Sequence, residues 1–136
     1  MLEEWLLKKK EIEDSKDTLN GADLCYAKLM EAKLSDANLE EADLTAAYLI
    51  RADLSGANLS GADLTQAVLS EANLSGADMN EAELTDTFLN GANLQGVVNL
   101  TCDQIELANI DKDTVLPSYM TIKWSNDRIC ECVDGN

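Results

Sequence analysis

The sequence contains no histidine, and its 10 Lys and Arg residues stand against 26 Asp and Glu residues. Without histidine the chain lacks the usual general base near neutral pH and the commonest metal ligand. Its formal net charge of −16 repels phosphates, so direct nucleic-acid binding is not expected. These absences argue against an ordinary enzyme and against a nucleic-acid-binding protein, and they predict no cofactor.

Large rings and long apolar runs are also scarce. Aromatic residues make up 4% of the chain although hydrophobic residues make up 46%, so we expect a core of stacked Ala and Leu. No stretch approaches the ~20 apolar residues of a membrane span. The acidic beginning at Met1–Trp5 does not resemble a signal peptide. We therefore expect one cytoplasmic domain without membrane contact.

The four cysteines give no clear metal signature. Cys130 and Cys132 are separated by one residue, unlike a CxxC pair, and no histidine is available to complete a zinc site. In the cytoplasm we expect four ordinary thiols, at Cys25 and Cys102 as well. Whether Cys102 meets Cys130 or Cys132 stays open at this level.

A period of five residues fills the middle of the chain. From Leu19 to Leu94 a large apolar residue occupies every fifth position, and all sixteen are Leu except Met79. Two residues earlier the residue is Ala, except at Asp17 and Thr87, and Asp or Asn often lies between the two. Six of the seven glycines come two residues after the central position.

Neither a helix nor a flat strand has this period. A short extended piece followed by a corner does, because residues two apart point to the same side of an extended segment. Glycine suits a corner that needs positive φ. Four such segments close a square, so one coil takes about twenty residues and sixteen segments predict about four coils.

The tandem A(D/N)LXX motifs, as in Ala22-Asp23-Leu24, resemble those of pentapeptide-repeat proteins over about residues 17–96. The run from Asn99 to Pro117 is similar to the tail of many cyanobacterial members, most of which have no assigned activity. The resemblance implies an all-β solenoid, a right-handed quadrilateral β-helix, with the central Leu and the preceding Ala inside.

The ends of such a tube expose apolar interior and unpaired backbone, so caps are expected at both ends. We predict an N-terminal capping helix in residues 1–15, the β-helix in 16–98, and a C-terminal cap helix and tail in 99–136. The first helix would span residues 2–13, with Lys8, Lys9 and Lys10 towards its end. Thr101 and Gln104 have capping-box spacing and begin a short helix predicted to reach about Ala108.

Stacking by twenty residues aligns outward positions into two candidate surfaces. The acidic strip consists of Asp23, Asp43, Asp63 and Glu83. It is interpreted either as a docking surface for a basic partner, or a weak cation site, or simply as a solvated face of the motif.

The apolar strip consists of Met30, Tyr48, Ile50, Val68 and Phe88, and Lys28 precedes Tyr48 in the column. An apolar strip of this size usually marks a contact. Three interpretations of the apolar strip stay open. The chain's own tail around Tyr119 to Trp124 covers it, a partner or another copy contacts it, or it is exposed to solvent.

These features predict a non-catalytic protein–protein interaction or scaffold module with an unidentified protein partner. Catalysis is not expected, because a packed tube leaves no pocket of ligand size. Some acidic relatives imitate duplex DNA, so the resemblance implies an alternative, an inhibitor or protector of a DNA-binding protein such as gyrase. Against this, four coils rise only about 19 Å, or ~6 base pairs. The oligomeric state is left open.

Overall fold

The computed structural model describes residues 3–124 and 129–132. No helix in this part of the chain is both long enough and apolar enough to pass through a bilayer. The regular elements are helix α1 (Glu4–Asp14), a 3₁₀ turn (Lys16–Thr18), helix α2 (Cys102–Glu106) and the strands β1 (Met120–Lys123) and β2 (Ile129–Cys132).

Between the two α-helices the chain is a stack of short segments that pair with the segment twenty residues ahead. Parallel bridges join Asp23 to Asp43, Asp43 to Asp63, and Asp63 to Glu83, and equivalent bridges run along the other three sides. The backbone N–H of Leu44 donates to the carbonyl of Asp63 at 2.8 Å. Each segment is thus one rung of a parallel ladder, as the period of five predicts.

The corners between segments depend on a left-handed backbone two residues after the central Leu. Gly56 has φ +69°, and Arg51 adopts +57° at the equivalent corner. The N–H of Ala57 closes the turn on the carbonyl of Leu54 at 3.0 Å, and a positive φ at the third residue is what a type II turn requires. The glycines therefore occupy the corners, as predicted.

Asp and Asn between Ala and Leu stabilise the same corners. Oδ1 of Asp53 accepts hydrogen bonds from the backbone N–H of Ser55 at 3.0 Å and from its hydroxyl at 2.6 Å. Asn58 and Asn73 accept from the backbone two residues ahead in the same way. These bonds are Asx-turns, so the polar residue of the motif has a local structural role.

The interior is the predicted Leu and Ala ladder. The central residues from Leu29 to Leu94 are at most 1% exposed, and the inward Ala residues from Ala32 onwards are buried with them. Thr87 takes an Ala position and is fully buried, and its hydroxyl donates to the carbonyl of Leu64 at 2.6 Å. That bond lets a polar group replace Ala inside the tube.

Helix α1 lies against the first coil. Ile12 is buried in the core, and Nζ of Lys9 donates to the carbonyl of Met30 at 3.2 Å. The predicted placement of lysines at the helix end is wrong, because α1 continues to Asp14 and has no basic residue in its last turn. At least one lysine instead bonds to the coil, which a dipole argument does not consider.

Helix α2 begins with the predicted capping box. The Thr101 hydroxyl accepts from the N–H of Gln104, and the Gln104 side chain accepts from the N–H of Thr101. Nε2 of Gln104 also donates to the carbonyls of Met79 and Ala82. Ile105 is fully buried against the coil end. The helix ends at Glu106, two residues before the predicted boundary.

The ladder continues beyond the repeats. The regular Leu spacing breaks at Asn99, which is exposed and has φ +64°. Nevertheless Asp78 bridges Val98, Phe88 bridges Asn109, and Asn93 bridges Val115. Because Asn109 and Val115 lie 21 and 22 residues after their partners, a search for a constant step of twenty does not find them.

The tail lies at the C-terminal end of the stack. The Tyr119 hydroxyl donates to the carbonyl of Val97 at 3.0 Å and accepts from the N–H of Leu100 at 3.3 Å. Met120 is buried in the core cluster. Strand β1 pairs with β2 as an antiparallel hairpin, in the register Met120 opposite Cys132 and Ile122 opposite Cys130.

Cys102 is oxidised. It takes part in a disulfide bond, whereas Cys25 is free, so the expectation of four ordinary thiols is wrong at Cys102. The physical reason is the folding back of the hairpin, which brings β2 against α2. The side chains of Cys130 and Cys132 lie outside the described residues, and so does the choice between them.

Candidate interaction surface

The apolar strip lies along one side of the stack. Parallel bridges join Lys28 to Tyr48, Tyr48 to Val68, and Val68 to Phe88, so these outward side chains follow one another at the coil spacing of about 4.8 Å. Tyr48 is 43% exposed and Phe88 is 40% exposed. The column is therefore an apolar surface open to solvent.

The described part of the tail does not cover this column. Tyr119 bonds to the backbone of Val97 and Leu100 at the end of the stack, and Trp124 is itself 44% exposed. Residues Tyr119 to Trp124 therefore do not cover the strip, which was one of the alternatives. Strand β2 packs against α2.

Two further aromatic residues extend the surface, and sequence reasoning missed both. Trp5 of α1 lines a shallow groove of about 330 Å³ together with Lys28, Met30, Tyr48 and Ile50. Tyr26, at the corner leading into this side of the stack, is 69% exposed. Four of the six aromatic residues of the chain thus lie on or beside one side. The corner position of Tyr26 was readable from the repeat, but the position of Trp5 depends on how α1 leaves the coil.

The corner that follows the strip carries charge. Arg51 lies between Glu31 and Glu71, with nitrogen–oxygen distances of 3.9 and 3.7 Å. These exposed pairs contribute little stability, but they place the positive charge between two negative ones. Asp111 continues this row and accepts from the N–H of Gly91 at 3.1 Å. This border of the strip is therefore mainly acidic.

The acidic strip has a structural use. Asp43 and Asp63 each accept hydrogen bonds from the backbone N–H and the hydroxyl of the Thr two residues ahead, at 2.6–3.1 Å. Glu83 makes the same pair of bonds with Thr85. The stacked carboxylates are tolerated in part because each is held by local donors. This corner-stabilising role was not among the interpretations of the strip from sequence.

Cys25 sits beside two of these carboxylates. Its sulfur and the carboxylate oxygens of Asp23 and Asp43 lie within 4.8 Å of one another. Hydrogen bonds from the thiol to Asp43 and then to Asp23, with burial and the two negative charges, raise the pKa of Cys25 to about 12. The thiol therefore stays protonated at neutral pH, where it serves as a hydrogen-bond donor and is a poor nucleophile.

The Asp43 carboxylate should make stability depend on pH. Hydrogen bonds from the Cys25 thiol first, then from Thr45, lower the pKa of Asp43. The depressed pKa means that its contribution is full above the ordinary value of about 4 and is lost as the pH falls through the lower folded value. Solvent screening limits the contribution to less than about 1 kcal/mol.

We expect Asp43→Asn to lower the melting temperature between pH 5 and 8, with the difference from the parent protein shrinking below about pH 4. Thermal unfolding followed by circular dichroism from pH 2 to 8 measures this. Thr45→Val, which removes one donor, should shift the same transition upward in pH. A difference that persists unchanged at pH 2 would contradict the assignment.

The repeats match a family model. The model described as pentapeptide repeats matches eight copies, over residues 18–45, 27–66 and 57–96. The chain belongs to the pentapeptide-repeat family. Its fold is therefore the right-handed quadrilateral β-helix of these proteins. Proteins of the family are in general structural or interaction proteins and not enzymes. No curated protein matches the chain.

The chain is also similar to solved structures. HetL from the cyanobacterium Nostoc sp. strain PCC 7120, a protein involved in heterocyst differentiation regulation, is 33% identical over 71% of this chain and 54% of its own, with a TM-score of 0.42. Rfr23 from the cyanobacterium Cyanothece 51142 is 36% identical over 66% of this chain and 64% of its own, with a TM-score of 0.34.

QnrB1, a plasmid-mediated fluoroquinolone resistance protein, is 19% identical over 68% of this chain and 49% of its own, with a TM-score of 0.55. At that identity the likeness concerns the fold alone. The pentapeptide-repeat chain described here spans about half the length of HetL and of QnrB1.

Proposed function

We propose that this pentapeptide-repeat protein is a non-catalytic interaction module that binds a protein partner through the apolar strip. The observation that carries the proposal is the exposure of Tyr48 and Phe88, which stay 43% and 40% exposed at either end of one bridged column with Val68. Aromatic side chains on a rigid surface bind with little loss of conformational entropy. They are also enriched among the residues that dominate binding energy.

We further propose the division into a helical N-terminal cap in residues 1–15, four coils in 16–98 and a C-terminal cap and tail in 99–136. Burial of Ile12 and Ile105 supports a seal at each end. The bonds from Gln104 to the carbonyls of Met79 and Ala82 support it as well, because they occupy acceptors that an open coil end would expose.

The test of the interaction surface is a comparison of captured proteins. A tagged Tyr48→Ser/Phe88→Ser variant is expected to lose the partners that the parent protein retains from the native cell. The matched control is Val98→Ser/Val115→Ser, which removes side chains that are 48% and 47% exposed on other sides of the stack. Equal melting temperatures establish that both variants fold. An unchanged set of partners in the first variant removes the strip from consideration.

A role as an acidic DNA mimic, acting on a DNA-binding protein such as gyrase, is the second candidate. Its support is the net charge of −16 and the acidic strip. Asp43, Asp63 and Glu83 of that strip already accept hydrogen bonds from Thr hydroxyls, and the likeness to QnrB1 concerns the fold. A supercoiling assay with purified gyrase tests this role. If the protein neither inhibits nor protects the enzyme, the role is ruled out.

The cytoplasm remains the predicted location. The Cys102 disulfide is the observation that weighs against it, because disulfides persist mainly in oxidising compartments. Alkylation of free thiols in intact cells, followed by mass measurement, distinguishes the two. Modification of Cys102 indicates a reducing compartment, and protection of Cys102 indicates an oxidising one.

A further inference from the structure

The chemistry of the partner can be argued from what surrounds the apolar strip. Between residues 34 and 111 the chain has fourteen acidic residues and one basic residue, Arg51. On the following corner Glu71 and Asp111 border the strip, and Glu71 also pairs with Arg51. On the preceding corner Asp86 is the one acidic residue, in a row with Tyr26, Ala46 and Gln66. Positive charge opposite Glu71, Asp86 and Asp111 therefore favours a partner that places apolar side chains on the strip.

The distance between successive residues of the strip indicates the secondary structure of that partner. Successive outward residues such as Tyr48, Val68 and Phe88 rise by about 4.8 Å per coil. An α-helix laid along the column rises about 5.4 Å per turn, so residues one turn apart stay near successive coils over three steps. Alternate residues of an extended strand lie about 6.7 Å apart and lose this register after two steps.

A second copy of the chain and an anionic membrane are poor occupants. A second copy carries the same net charge of −16 and an anionic membrane is also negative, so each is repelled overall by this acidic protein. The described part of the tail lies at the C-terminal end of the stack, where Tyr119 bonds to Val97. The charge pattern thus favours a separate, basic partner.

We propose that the apolar strip, with Trp5 at one end and Phe88 at the other, binds a basic amphipathic helix of a partner protein. Its apolar residues, spaced by three or four positions, lie on Tyr48, Val68 and Phe88, and Lys or Arg residues on either side of them face the acidic borders. This inference rests on the proposed function, since it names the class of partner for the same surface.

The experiment is a selection on the full-length protein from a phage-displayed library of random 16-residue peptides. Binders are counter-screened on Tyr48→Ser/Phe88→Ser and on the control Val98→Ser/Val115→Ser. The expected binders lose at least about tenfold in affinity on the first variant only, equivalent to about 1.4 kcal/mol. They carry apolar residues at helical spacing flanked by Lys or Arg, and they gain helical dichroism when bound.

The other outcomes separate two failures. Strip-dependent binders that are acidic, proline-rich or extended overturn the inference about the partner and leave the proposed surface intact. Binders that are insensitive to Tyr48→Ser/Phe88→Ser, or an exhausted selection without binders, overturn both. Replacing Lys and Arg of a selected helix with Gln should weaken binding at low salt. Unchanged binding would overturn the inference that the partner is basic and would leave the proposed surface intact.

Discussion

Ala52→Phe is expected to destabilise the protein by about 3 kcal/mol or more, a large part of the stability of a domain this size. Ala52 is fully buried in the column of inward residues that includes Ala32 and Ala72, and the segments above and below it pair at strand spacing. A closed tube cannot widen at one coil without breaking the ladder to both neighbours. The phenyl ring therefore has no volume to enter.

Thermal unfolding measures the effect, and we expect a fall in melting temperature of roughly 10 °C or more. Leu54→Met in the same segment is the matched control, because it conserves volume and should cost less than about 1.5 kcal/mol. Met79 already occupies a central position in this sequence and is fully buried. If Ala52→Phe melted near the parent protein, the close packing of the tube would be disproved.

Ile105→Lys should open the C-terminal end of the stack. Ile105 lies on the inner face of α2 and is fully buried. A lysine in its place either buries an unpaired ammonium group or detaches the helix from the coil end. Either result should cost about 3 kcal/mol or more. Detachment also exposes apolar interior and unpaired backbone, so we expect concentration-dependent association.

Light scattering during size-exclusion chromatography and thermal unfolding measure the two effects. Leu107→Lys is the control in the turn that ends the same helix, because Leu107 is 52% exposed and its replacement should change stability by no more than about 0.5 kcal/mol. Equal behaviour of the two variants would mean that α2 does not seal the coil end.

The local features of this protein were predictable because they depend on residues close together in sequence. The inward columns, the glycine corners and the capping box of Thr101 and Gln104 each need neighbours within five positions. The Asx-turns at Asp53 and its equivalents are equally local, but the carboxylates of the acidic strip were considered only as a surface. The structural role of Asp and Asn in the repeat is to accept hydrogen bonds from the backbone two residues ahead.

The features missed involve distant segments or a changed residue count. The ladder reaches Asn109 and Val115 only after one and two additional residues, which conceal the repeat distance. The position of Trp5 beside Tyr48 depends on the direction in which α1 leaves the first coil. The oxidation of Cys102 depends on the hairpin turning back onto α2.

The sequence alone determined the closed four-sided interior, because a strict five-residue period leaves no other way to bury Leu and Ala together. Only the tertiary structure decided which outward residues remain accessible. That outcome depends on where the two ends of the chain pack. Neighbouring hydroxyl and backbone N–H groups donate hydrogen bonds to the carboxylates of the acidic strip. Tyr48 and Phe88 face water, and no segment of the described chain covers them.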